Sequence, residues 1–190
     1  NISKRYMGSR SRAETLQAIA LPIFDRMKKI HGLGRRERLL LQIATILHDC
    51  GKYISLVNLG ECSYNIIMST EIIGLSHKER EIVANVVLFN HVPFEYYNDH
   101  SERYAKIDHD AYLIIAKLTA ILRVANGLDR THRQKFRDVH VTLKENENEL
   151  VINVDTMNDI TVEQGLFGNR AGFFEEIFGI RPVIRQKRMI

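Results

Sequence analysis

The sequence predicts a mainly α-helical chain that ends in a small β-β-α-β appendage. Two observations carry that expectation. Up to about residue 136, apolar residues recur at helical spacing through successive long segments. From Asp138 the period becomes two: Val139, Val141 and Leu143 alternate with polar residues, and Leu150, Ile152 and Val154 do so again. The expected division is a helical domain over 1–136 and an α/β appendage over 137–190.

The elements follow in order. Leu16, Ile19, Ala20, Ile23, Phe24, Met27 and Ile30 define one face of a helix over about 11–31, with Pro22 predicting a kink or a one-turn break. Gly32 and Gly34 end it. Leu39, Leu40, Leu41, Ile43, Ala44, Ile46 and Leu47 run nearly all round a second helix over 35–49, which is expected to be central and buried, with Gly51 stopping it. A short helix is expected over 63–69. Ser76 with Glu79 three residues on is a capping box opening a helix that ends near His91. The stretch from Pro93 to Tyr104 reads as a surface loop, and Asp108 caps a long apolar helix running to Leu128. In the appendage, Asn146-Glu147-Asn148 turns a hairpin, a helix interrupted near Gly165 and Gly168 places Phe173 and Phe174 in a core, and residues 181–187 form a last strand.

The composition bounds the function. In 190 residues, 45% are hydrophobic and 26% charged, as expected of a globular chain with a real core. The formal charge of +4 and pI of about 9.1 favour anionic partners but are too slight to imply nucleic-acid binding. Two cysteines, Cys50 and Cys62, make neither a disulfide framework nor a CxxC metal pattern, so a reduced, cytoplasmic setting is expected. No apolar run reaches the ~18 residues that span a bilayer, and Asn1-Ile2-Ser3-Lys4-Arg5 lacks the apolar core of a signal peptide. Without an initiator Met, the chain reads as beginning inside something longer.

The stretch with most chemical content is Ile46-Leu47-His48-Asp49-Cys50-Gly51-Lys52, an apolar helix ending in an imidazole beside a carboxylate. At a last turn both side chains can converge on one point, and Asp129 ends the second very apolar helix in the same way. His48, Asp49 and Asp129 together are suitable ligands for a divalent ion. The plain alternative is that they pin two helix ends through hydrogen bonds. His91 reads as a packing or capping residue, and His77 as solvated.

These phrases resemble a known family. The helical part looks like the HD superfamily of phosphohydrolase domains. More closely, about 4–187 resembles the C-terminal region of the exopolyphosphatase and guanosine pentaphosphate phosphatase family. The matching phrases are Leu16 to Met27, Ile46 to Gly51, Gly74 to Arg80, Val87 to His91 and Leu118 to Arg130. The resemblance implies an HD-domain-like bundle with a β-β-α-β appendage, belonging to a parent enzyme that removes phosphates from polyphosphate or guanosine pentaphosphate. It also implies that hydrolysis runs in N-terminal domains with glycine-rich phosphate loops, of which this sequence shows nothing, and that the parent uses a divalent metal, Mg or Mn.

The sequence departs from the HD pattern in one telling place. Where the resemblance calls for another metal-binding histidine in the first helix, this chain has Arg12, and a His-rich stretch is replaced by Asn58-Leu59-Gly60-Glu61. A permanent guanidinium repels a cation, so the site reads as degenerate, with no catalytic residue and no cofactor assigned in this chain. Arg12, Lys52, Arg123, Arg130 and Arg133 are instead candidates for holding polyphosphate or guanosine pentaphosphate. In the competing reading Arg12 pairs with Asp49 or Asp129 and shuts a relic site. The expected role is a polyanion-binding, homodimer-forming portion of the parent enzyme, with no membrane partner. The rivals are a self-sufficient metal-dependent HD phosphohydrolase acting on nucleotides and a pure interaction module.

Overall fold

A computed structural model describes residues 9–98, 100–129, 139–155 and 159–187. The first helix, α1 (Arg10–Arg26), is opened by Ser9, whose side chain accepts from the Arg12 amide. It continues without a break through Pro22 and pauses only at Met27, before the single turn α2 (Lys28–His31). Pro22 deprives only the carbonyl of Ala18 of its partner, and Ala18 is exposed, so water can replace the lost bond. Gly32, at φ 68°, closes the turn in the left-handed conformation. Buried His31 staples this corner: its Nε2 donates to Phe24 O at 2.7 Å while its Nδ1 accepts from the Leu33 amide at 2.9 Å.

Helix α3 (Arg35–Leu47) differs from expectation. It buries Leu40, Leu41, Ala44, Thr45 and Leu47, but Leu39 and Ile46 are each 38% exposed. The central positions belong to α5 (His77–Phe89), buried without interruption from Ile82 to Phe89, and α6 (His109–Leu128). Between α3 and α5 lies α4 (Leu59–Ser69), four residues longer at its start than expected. Among the described helices, α6 is long and apolar enough to cross a membrane, but 72% of that window is buried inside this fold, as in a core helix. The capping residues act as anticipated. Ser76 Oγ accepts from the Glu79 amide at 3.1 Å while Glu79 accepts from the Ser76 amide at 3.0 Å, and Asp108 accepts from the Ala111 amide at 2.8 Å. The Pro93–Tyr104 stretch is irregular and, among its described residues, mostly exposed as expected, but it is anchored inward at a few positions. Phe94 and Tyr104 are buried, and Phe94 makes tilted ring contacts with both Phe89 and Phe173.

The appendage has the expected order. Strands β1 (Val139–Lys144) and β2 (Glu149–Asp155) pair antiparallel around a short 3-10 turn, with Asn148 at φ 50°. Helix α7 (Thr161–Phe178) then crosses over, and β3 (Arg181–Lys187) pairs parallel to β2. Contrary to the expected interruption, α7 is continuous. Gly165 and Gly168 sit on its exposed side, and packing of Phe167, Phe173 and Phe174 holds the helix against their poor propensity. Val141, Leu150, Ile152, Val154 and Phe174 join the same apolar core as the helices before them.

Candidate functional site

The end of α3 and the end of α6 meet at α1. His48 follows the last residue of α3, Asp49 comes next, and Asp129 caps α6 with its amide on Ala125 O at 3.3 Å. All three are within 2% of full burial. Arg12 of α1 lies close enough to feel both carboxylates. Its Nη2 donates to Asn126 Oδ1 at 3.0 Å, and its charge is felt by Asp49 and Asp129, both of which favour the protonated guanidinium. Burial pushes the other way and is the larger influence, lowering the Arg12 pKa from its usual value.

His48 is oriented by its neighbours. Its Nδ1 donates to Thr45 O at 2.7 Å, which leaves the lone pair on Nε2, 3.7 Å from Asp49 Oδ2. That Nε2 has no hydrogen-bond partner among the described residues, and neither does Asp49 Oδ1. Burial pulls the His48 pKa down to about 4, with Arg12 and His91 helping and Asp49 opposing. His91, at the end of α5, donates from Nε2 to the His48 carbonyl at 2.6 Å, and burial lowers its pKa too.

A histidine anchored at Nδ1 with a bare Nε2 beside a carboxylate is half of a metal centre. The other half does not assemble: among the described residues no group of three His, Cys, Asp or Glu side chains is placed to hold an ion. The position facing His48 and the two carboxylates carries the Arg12 cation instead. The donor set does not fit a divalent metal, because a fixed positive charge beside the two carboxylates repels a second cation.

The remaining candidate cations separate. Arg123 faces the end of α5, with Nε donating to Phe89 O at 2.6 Å, Nη2 to Val92 O at 2.7 Å, and its guanidinium 4.8 Å from the Phe173 ring centre. Lys52 is exposed and makes no side-chain hydrogen bond or ion pair among the described residues. Arg130 and Arg133 lie outside the described residues.

Three contributors escaped the sequence reading. Asn126 is three residues before Asp129 and so shares its helix face, a polar residue amid apolar ones that could have been noticed. Ser63 is buried and donates nothing to chemistry, but its Oγ accepts from the Gly51 amide at 2.9 Å. Gly51 does not have a positive φ. It is glycine because a Cβ there would lie 2.5 Å from Ser63 N. The third is Arg170 of α7, whose Nη1 donates to Asn90 O at 3.2 Å beside Arg123.

Two comparisons bear on identity. A search of curated proteins found no match. A family model described as Ppx/GppA phosphatase, domain III, matches residues 1–164. That span takes in His48, Asp49, Asp129 and Arg12 together with the hairpin and the start of α7, which is the architecture described above. The chain belongs to the Ppx/GppA phosphatase family, as its domain III.

Proposed function

We propose that this chain is the accessory portion of an exopolyphosphatase or guanosine pentaphosphate phosphohydrolase, holding the polyanionic substrate in a cytoplasmic homodimer while hydrolysis runs elsewhere in the parent protein. The observation that carries the reading is Arg12, whose guanidinium faces Asp49, Asp129 and Asn126 where a metal-dependent phosphohydrolase would keep its ion. A pocket that carries its own arginine beside the carboxylates repels the ion that would be needed to activate water. The family membership and the +4 charge favour a phosphate-rich partner over a neutral one.

The test is elemental analysis of the purified chain, followed by calorimetry with tripolyphosphate at low salt and light scattering. Substoichiometric metal, saturable tripolyphosphate binding and a dimer mass are expected. Stoichiometric Mn, Fe or Zn with phosphatase activity would overturn the accessory role in favour of a self-sufficient enzyme. Absence of any tripolyphosphate binding would overturn the substrate-holding role and leave an interaction module.

A further inference from the structure

A second charged cluster lies next to the His48–Asp49 pocket. Asn90, His91, Val92 and Pro93 at the end of α5, Arg123 of α6, and Asn169 and Arg170 of α7 line an open cleft of about 210 Å3. Liquid water takes about 30 Å3 per molecule, so the cleft has room for about seven waters or for a phosphoryl group with its oxygens. Two of its lining residues are guanidiniums, and no carboxylate lines it.

Arg123 is the informative member. Its burial lowers its pKa, and the largest opposing influence is the phenol of Tyr96 rather than a carboxylate. Among the described residues it forms no ion pair, and its two hydrogen bonds, from Nε and Nη2, go to main-chain carbonyls. Those bonds hold the guanidinium plane rigid and leave Nη1 without a hydrogen bond among the described residues. Half-buried cations in folded proteins are normally balanced by an anion, because an unpaired charge out of water is costly. Arg170 is tied to the same carbonyl turn through Asn90 O and Asn90 Oδ1. That orientation leaves Asn90 Nδ2, a buried donor, with no partner among the described residues.

We infer that this cleft is a phosphoryl-oxyanion subsite, with Arg123, Arg170 and Asn90 presenting fixed donors to one phosphate group. The inference rests on the substrate-holding reading above and gives it a location distinct from the Arg12 pocket. The same chemistry admits two sources, one unit of a polyphosphate chain or free inorganic phosphate.

The deciding variant is Asn169→Asp. Asn169 is exposed on α7 and lines the cleft without packing into the core, so the fold is retained while a negative charge enters the site. The 190-residue chain is titrated by calorimetry with tripolyphosphate and, separately, with inorganic phosphate. Arg123→Gln serves as the second variant, and circular dichroism checks each fold. Expected is a loss of tripolyphosphate affinity of about tenfold or more in Asn169→Asp, the size of one added like charge at close range. Tighter binding of tripolyphosphate than of phosphate assigns the site to a chain, and equal binding assigns it to the free ion. Tripolyphosphate binding left intact by both folded variants overturns the subsite while leaving the substrate-holding reading in place. No binding by the parent chain overturns both.

Discussion

Replacing Gly51 with alanine should destabilise the fold out of proportion to one methyl group. An added Cβ would meet Ser63 N at 2.5 Å, Ser63 Oγ at 2.7 Å and the Cys62 carbonyl carbon at 2.9 Å. Two of these three are main-chain atoms, so no rotamer change relieves them and the start of α4 must move. Overpacking of this kind costs about 1–3 kcal/mol. Moving Ser63 also weakens the Gly51 N–H to Ser63 Oγ bond, worth about 1 kcal/mol. Alanine returns about 0.5 kcal/mol by restricting the unfolded chain. The net is a loss of about 2 kcal/mol, which lowers Tm by about 4–8 °C in a chain of this size. Urea and thermal melts followed by circular dichroism measure it. Gly165→Ala and Gly168→Ala are the internal controls. Nothing lies within 4 Å of a Cβ at either position, so each should stabilise α7 by about 0.5–1 kcal/mol. Adding Ser63→Ala to Gly51→Ala removes the hydroxyl clash but not the backbone one, so it should rescue little. A Gly51→Ala chain that melts with the parent, or is fully rescued by Ser63→Ala, refutes the backbone-approach argument.

Three further outcomes follow from the buried charges. Burial lowers the pKa values of His48, His31 and His91, so these imidazoles stay neutral in the fold while protonating in the unfolded chain below about pH 6.5. Their stabilisation is therefore complete above that pH and lost as pH falls toward about 4, His48 alone accounting for on the order of 3 kcal/mol at most; a urea midpoint that is unchanged or higher at pH 4.5 than at pH 7 would contradict this. Arg12→Met removes the cation beside Asp49 and Asp129, and should lower stability at pH 7 by about 2 kcal/mol, with the difference shrinking on acidification as the carboxylates protonate. A pH-independent difference would mean that Arg12 acts by packing alone. Arg12→His replaces the cation with a second neutral imidazole in a pocket already holding His48, Asp49 and Asp129, so added Mn2+ or Zn2+ should raise the melting temperature of this variant and not that of the parent. Equal shifts in both chains would refute the charge argument.

What could be foreseen from the sequence was mostly local. The Ser76–Glu79 box and the Asp108 cap are contained within four residues, and the alternation in β1 and β2 is contained within each strand, so each left its own signature. Residues 181–187 could be read as a last strand, whereas their parallel pairing with β2 is seen only in the structure, where α7 makes the crossover. Features that depend on remote neighbours were misjudged. An all-round apolar pattern said that α3 was a core helix, but only the packing of α5 and α6 decides that Leu39 and Ile46 face outward. Gly51 was read as a helix stop, whereas its need for glycine comes from Ser63, twelve residues on. Gly165 and Gly168 suggested a break that aromatic packing overrides. Arg12 and Arg123 could be named as pocket cations from sequence, yet their separation into two places rests on contacts 114 and 31–34 residues away.

Arg12 also changes how this domain relates to its surroundings. A metal cofactor is borrowed from solution and can be diluted away, chelated or exchanged for a rival ion, and its occupancy reports on the cell's supply. A guanidinium attached to the backbone is present from the moment the chain is made, at one copy per site, and cannot dissociate. The charge balance around Asp49 and Asp129 is therefore insensitive to chelators and to metal starvation. By the same token, the pocket has no means of sensing either.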